Sequence, residues 1–340
     1  MNTLIITPNW IGDALMAQPL LMLLKRADPA GNITVLAPHW VAPVFDAMPE
    51  VDEVLPTTLA HGRLQLAERR KFASGLANEG YARAFVLPNS FKAALIPWLA
   101  HIPERIGYRG EARIAMINRR VDGPDANRPM AARYAQLASA VGIALPDVLP
   151  DPKLVADSAM IDATLRKFGL QAGHFFALCP GAEYGPAKRW PVEHFAELAT
   201  LIAARDPGAQ IVLLGGPGDR MIAASIVARA TLPPRDDGHM TIQNLAGQTD
   251  LDEAIALIAA ATHVVSNDSG LMHVAAALAR PQTALFGSSD PRHTPPLSST
   301  AQVLWLHLDC SPCFERVCPL GHLNCLVRIE PHRVLETLQN

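Results

Sequence analysis

Short apolar runs alternate with amphipathic helical stretches along this chain, and that alternation confines it to a narrow set of architectures. Leu4-Ile5-Ile6 reads as a strand, and Asp13 to Arg26 reads as the helix that follows it. Ile33 to Leu36 is the next strand, Trp40 to Met48 a helix, Val51 to Leu55 a strand, Leu64 to Glu79 a helix and Ala84 to Leu87 a strand. Repeated strand–helix units of this kind build a largely parallel sheet covered by helices on both faces. After a helix over Tyr134 to Val141, Pro146, Pro150 and Pro152 break the pattern, because proline removes a donor and fixes its own backbone angle. The pattern then restarts, with strands at Phe175 to Cys179, Ile211 to Leu214, His263 to Ser266 and Thr283 to Phe286. Helices are read over Val192 to Arg205, Asp252 to Ala261 and Leu271 to Ala279.

The length of 340 residues fits two such units. Ligands of doubly wound sheets bind beyond the carboxyl ends of the strands, so two facing units imply a cleft between them. Apolar types make up 49% of the chain and charged types 18%, enough apolar material for two cores. The net charge of −3 and an aromatic content of 6% exclude a globally basic, base-stacking nucleic-acid binder. Five cysteines, an odd number, argue against a secreted disulfide framework. No apolar run reaches the roughly 18 residues of a membrane span, and Met1 to Pro8 lacks the features of a signal peptide. The expectation is a soluble cytoplasmic protein. The overall charge hides an asymmetry: Arg63 to Arg133 holds 13 Lys/Arg against 6 Asp/Glu, which suggests a polyanionic acceptor or an anionic lipid surface for the first domain.

Three strand-to-helix turns carry the chemistry. Asn9-Trp10-Ile11-Gly12-Asp13 places a carboxylate at the start of a helix, where it reads either as a first-turn carboxylate or as a general base. Cys179 to Pro191 is a Gly/Pro-rich loop ending in Lys188-Arg189, suited to a diphosphate through its amides and its cation, although it lacks the spacing of a Walker loop. Ser266-Asn267-Asp268-Ser269-Gly270-Leu271-Met272-His273 is a second phosphate-suited turn, or equally a capped helix start. Gly215-Gly216-Pro217-Gly218-Asp219 lacks dinucleotide spacing, but Asp219 could bond a ribose. Asp250-Leu251-Asp252 matches a DxD metal motif by letter only. Thr249 with Asp252 forms a capping pattern that accounts for it. Cys310, Cys313, Cys318 and Cys325, with His307 and His322 nearby, are spaced closely enough for zinc. The paired CxxC arrangement is absent, so reduced cysteines in a compact loop are the preferred expectation and no metal is assigned.

Taken together, Trp10 to Asp13, Pro180 to Pro191, Asn267 to His273 and the segment Ser311 to Pro319 resemble the ADP-heptose:lipopolysaccharide heptosyltransferases of glycosyltransferase family 9, most closely their type II branch. The resemblance spans nearly the whole length, with Tyr184 standing where Phe is common. It implies an α/β GT-B fold, two Rossmann-like domains facing an inter-domain cleft. The acceptor domain would be residues 1–155 and the ADP-heptose domain 156–329, with a C-terminal helix at about 330–340 resting on the first domain. The implied reaction is inverting transfer of heptose from ADP-heptose to the first heptose of the lipopolysaccharide inner core, on Kdo-lipid A. It would take place at the cytoplasmic face of the inner membrane of a Gram-negative cell, by peripheral association, with no nucleic acid and no required cofactor.

By the same resemblance Asp13 is the base and Lys188 the cation at the diphosphate. Gly181, Ala182, Glu183, Tyr184, Asp268, Ser269 and Gly270 line the donor, with Asp219 as the further donor candidate. Asn9, Trp10, Arg63, Arg105, Arg109 and Arg113 are the acceptor candidates. The competing readings are a type I or III heptosyltransferase or another GT-B transferase, a GT-B nucleotide-sugar epimerase, and a nucleotide- or metal-binding interaction protein.

Overall fold

The computed structural model describes residues 1–59, 62–123, 128–232 and 241–338, and the chain divides into two units, Met1–Leu154 and Val155–Asn340. The first unit is built on six strands: β1 (Thr3–Ile6), β2 (Ile33–Pro38), β3 (Glu53–Thr57), β4 (Arg83–Val86), β5 (Glu104–Tyr108) and β6 (Arg119–Val121). Their order is β3-β2-β1-β4-β5-β6, every pairing parallel. The second unit has β7 (Phe175–Cys179), β8 (Gln210–Leu213), β9 (Ile242–Asn244), β10 (His263–Asn267), β11 (Gln282–Phe286) and β12 (Ala301–Trp305). Their order, β9-β8-β7-β10-β11-β12, repeats that of the first sheet and is again wholly parallel.

The central strands β1, β7, β10 and β11 are buried along their whole length, as a parallel sheet covered on both faces requires. In this topology the chain reverses its winding between β1 and β4 in one unit and between β7 and β10 in the other. The crevice at that switch point is where such sheets bind ligands.

Strands β5, β6, β9 and β12 were not expected from the sequence. Each lies at or next to a sheet edge and carries polar or charged residues rather than an apolar run. The proline-rich stretch expected as a linker has no regular structure from Asp151 to Asp157. Buried Gln18, on the helix Ile11–Ala27, fixes its start: the side-chain amide donates to Lys153 O at 2.6 Å and accepts from Lys153 N at 2.9 Å.

The C-terminal helix Pro331–Thr337 is grouped with the second unit, where Val334 and Leu338 join the core around Phe195, Leu198 and Ile202. The cause is apolar burial on the helix Val192–Arg205, strengthened by Arg205 donating to Leu335 O at 3.1 Å. Residues 339–340 of the expected helix lie outside the described residues. Among the described residues no helix is long and apolar enough to cross a membrane.

Two buried imidazoles in the second unit make its stability depend on pH. Burial holds His263 and His273 down to about 4. In the unfolded chain an imidazole takes up its proton near pH 6.5. Between these values the unfolded state binds more protons, so stability falls as the pH falls through that window, by at most about 3 kcal/mol per imidazole. Urea midpoints measured from pH 7 to 4.5 should drop, and His273→Asn should flatten that slope.

Candidate functional site

At the switch point of the first unit, the chain leaves β1 and enters the helix Ile11–Ala27, with Asp13 in its first turn. The amide dipoles there favour a negative charge. Tyr134, on the helix Met130–Ala135 that packs against this one, donates from its hydroxyl to Asp13 Oδ1 at 3.3 Å. Burial, and then the charge of Asp13, push the Tyr134 phenol well above its ordinary value, so it remains a protonated donor. Sequence reasoning missed Tyr134, because its partner lies 121 residues away. Beside Asp13, Trp10 is exposed, and Asn9 O accepts from Trp40 Nε1 at 3.0 Å.

At the switch point of the second unit, the loop after β7 is held by the turn after β10. Buried Asn267 accepts from Trp190 N at 3.0 Å and donates to Pro180 O at 2.7 Å, so one side chain clamps both ends of the loop. Between those ends Lys188 Nζ lies 2.5 Å from Asp268 Oδ2. Asp268 is itself buried and accepts a second bond from Ser289 Oγ. The Lys188 ammonium also sits 5.1 Å from the centre of the Tyr184 ring, and the Arg316 guanidinium sits 5.2 Å from it. Tyr184 OH donates to Phe314 O at 2.6 Å.

Glycine is required at two points of this loop. A Cβ on Gly181 would come within 2.3 Å of Asp219 Oδ2. One on Gly185, whose φ is +154°, would come within 2.5 Å of Arg316 O. Asp219 thus lies against Gly181 while accepting from Gly216 N at 3.0 Å. Ser269 caps the helix Gly270–Ala277 by position, with its hydroxyl 3.2 Å from Ser266 Oγ. Lys188, Asp268, Gly181, Ala182, Tyr184 and Asp219 are therefore brought together by contacts within one unit, and Glu183 is exposed on the same loop. Asn267, Ser289 and Arg316 join them. Asn267 and Arg316 lie in segments quoted from the sequence but carried no assigned role there, and Ser289 lies in none; their parts in the site are revealed only by the fold.

The acceptor candidates divide. Arg113 is fully buried, and its guanidinium donates to Pro88 O at 2.6 Å, Tyr108 O at 2.6 Å and Asn89 Oδ1 at 2.9 Å. Arg105 is half-buried and donates to Met116 O, Ile102 O and Pro103 O. Arg113 thus ties together the segments after β4 and β5 at the carboxyl edge of the sheet, whereas Arg105 ties those that lead into β5 and β6 at its amino edge, so both guanidinium groups are engaged by the protein's own oxygens rather than placed toward an acceptor. Arg63 and Arg109 are exposed, the latter 3.3 Å from Asp122. Asp250 caps the helix Leu251–Ala260, accepting from Glu253 N at 2.8 Å, so the DxD letters are a cap, set one residue later than the Thr249 pattern implied.

The family model of glycosyltransferase family 9 (heptosyltransferase) matches residues 69–324. Lipopolysaccharide heptosyltransferase 2 of Escherichia coli (strain K12) is 43% identical to this chain, over 99% of this chain and 97% of its own length. Lipooligosaccharide heptosyltransferase 2 of Haemophilus ducreyi is 39% identical, over 99% of this chain and 98% of its own. Among solved structures, E. coli ADP-heptose lps heptosyltransferase II superimposes with a TM-score of 0.84 at 41% identity, covering 99% of this chain and 97% of that one.

The division of the arginines is testable by unfolding. Arg113→Ala removes a buried cation from three acceptors and should destabilise the protein by about 3 kcal/mol or more. Arg109→Ala, at an exposed pair, should change stability by less than about 0.5 kcal/mol. Urea denaturation of both variants checks this.

Proposed function

Because the chain belongs to glycosyltransferase family 9, the heptosyltransferases, we propose that it transfers heptose from ADP-heptose to the first heptose of the lipopolysaccharide inner core, with inversion at the anomeric carbon. It is a glycosyltransferase of GT-B fold. The observation that carries the choice of substrate is the likeness to heptosyltransferase 2 proteins over almost the entire length.

In this reading the second unit takes the donor. The amides of the loop after β7 and the ammonium of Lys188 receive the diphosphate, and Asp219, beside Gly181, faces the ribose. The first unit takes the acceptor at the turn carrying Asn9, Trp10 and Asp13. The acceptor hydroxyl gives its proton to the Asp13 carboxylate as its oxygen bonds the anomeric carbon from the face opposite ADP. The bond from that carbon to the β-phosphate oxygen breaks, and its electron pair leaves with ADP. Lys188 and the loop amides neutralise the charge that builds there. Tyr134, donating to Asp13 Oδ1, fixes the orientation of the carboxylate.

Arg63 and Arg109, exposed on the basic segment, are the acceptor candidates that remain beside Asn9 and Trp10. The segment's charge supports a first unit that meets Kdo and lipid A phosphates at an anionic membrane surface from the cytoplasmic side.

The deciding experiment supplies purified protein with ADP-heptose and Kdo-lipid A carrying either no heptose or one. Mass analysis should show one added heptose only on the acceptor that already carries one. Addition to the heptose-free acceptor would assign a type I enzyme instead, and conversion of donor without acceptor would assign an epimerase. Asp13→Asn should lower turnover about 10²–10⁴-fold while ADP-heptose still binds. Lys188→Ala should weaken donor binding and lower kcat about 10²-fold. Tyr134→Phe removes the hydroxyl that orients the Asp13 carboxylate and should lower kcat about tenfold with donor binding retained, which steady-state kinetics checks.

A further inference from the structure

The loop that backs the donor turn encloses a small cavity with an unusual lining. Its volume is about 20 Å³, and it is bordered by Cys310, Cys313, Cys318 and Cys325 together with His322 and Ser288. A space of about 10–15 Å³ already admits one water-sized particle, so there is room for a single ion and little else. All four cysteines are free thiols, and Cys310, Cys313 and Cys318 each lie within electrostatic reach of Cys325. The backbone amides of Leu320, Gly321, His322 and Leu323 are turned toward the Cys318 sulfur. Ser288 is 1% exposed, and its hydroxyl has no hydrogen-bond partner although it borders this cavity. A buried hydroxyl without an acceptor costs free energy, and a metal-bound thiolate beside it would be that acceptor.

We propose that Cys310, Cys313, Cys318 and Cys325 bind one thiolate-preferring divalent cation, zinc or iron, in a tetrahedral site that staples this loop to the donor turn. Four S–H protons pass to the buffer as four metal–sulfur bonds form. His322 stays outside the ligand set, since its Nδ1 accepts from Asn324 N at 3.0 Å. Among the described residues no group of three or more His, Cys, Asp or Glu side chains stands in an arrangement that could hold a metal ion. The thiols therefore close on the ion by rotating about their Cα–Cβ bonds, as in sites whose binding energy is also folding energy.

The consequence follows from what the loop touches. Phe314 N donates to Ser288 O at 2.7 Å, and Ser311 Oγ donates to Gly287 O at 2.6 Å. From that base Arg316 O accepts from Ala187 N at 3.1 Å, and Phe314 O accepts from Tyr184 OH. Fixing the four sulfurs fixes the surface against which residues 184–187 are folded. The metal site stands apart from the assigned reaction, and only its effect on donor affinity rests on that reading.

The test uses the full chain produced in metal-replete medium and freed of loosely bound ions. Elemental analysis should find one zinc or iron per chain in the wild type and in Cys179→Ser, and a loss of more than nine-tenths of it in Cys310→Ser and Cys318→Ser. Reduced, metal-stripped wild type titrated with Co²⁺ alone should develop thiolate-to-cobalt charge-transfer absorption that saturates at one equivalent and disappears on adding Zn²⁺. This arm does not depend on whether the variants fold. Stripping should also lower Tm and raise the donor KM more than it lowers kcat. A folded, reduced wild-type chain that holds no metal and gives no cobalt–thiolate band would overturn the proposal. Equal metal content in the cysteine variants would do the same. A metal found without any donor effect would leave the site standing and remove only its link to the donor turn.

Discussion

Two adjacent side chains at the end of β10 hold the second unit's site together. A twelve-residue loop rich in glycine and proline has no internal ladder to fix it, and left alone it would have many conformations. Asn267 ties its two ends through Pro180 O and Trp190 N, and Asp268 ties its middle through Lys188. Both can reach the loop because β10 pairs with β7 in parallel, with Ser266 opposite Cys179, so the two strands end side by side. The sheet register thus determines the loop geometry. The Asp268–Lys188 pair is costly to desolvate, and removing either partner leaves a charge stranded, typically worth about 3–5 kcal/mol. Ser289, reaching Asp268 from the end of β11, supplies the additional hydrogen bond that such a buried carboxylate needs.

The two units share one strand order and differ in what they place at its switch point. The first has an anion, Asp13, in a helix's first turn; the second has a cation, Lys188, on a loop. A doubly wound sheet supplies only the crevice and the helix dipoles, and the loops supply the sign of the charge. A displacement that must remove a proton from one reactant and stabilise negative charge leaving the other needs both signs. Duplication of one sheet, followed by divergence of its loops, is a physically economical way to obtain them.

Much of this was legible in the sequence because the central strands of a parallel sheet are continuous apolar runs. β1, β2, β7, β8, β10 and β11 all read that way; Asp268 follows β10 directly, and Asp13 and Lys188 fall in the strand-to-helix connections after β1 and β7. The edge strands were illegible for the complementary reason. β6 is Arg119-Arg120-Val121, and nothing local marks two arginines and a valine as a strand. Arg113 shows the limit of charge counting. It contributes to the basic balance of its segment, yet it is fully buried and satisfies three carbonyl oxygens of neighbouring loops. Composition records that a cation exists, and only the fold decides whether it meets a ligand or a backbone carbonyl. Tyr134 and Ser289 show the converse, as residues without a motif that tertiary contacts bring to Asp13 and Asp268.

The pairing of Lys188 with Asp268 bears on how a cation can assist a leaving group. A free, mobile lysine would bind a diphosphate tightly in the ground state and lose side-chain freedom in doing so. Held at 2.5 Å from a buried carboxylate and near the Tyr184 ring, the ammonium is already ordered, and part of its charge is already answered. Such a group gains comparatively little from the resting donor. It gains more as the phosphate oxygen takes on charge during bond breaking, because the new anion then competes with Asp268 for the same ammonium. Interactions that strengthen only as charge develops lower the barrier rather than deepen the bound state. In the proposed reaction Asp268 would then act through Lys188, giving up some donor affinity so that the remaining attraction is expressed as the leaving group departs.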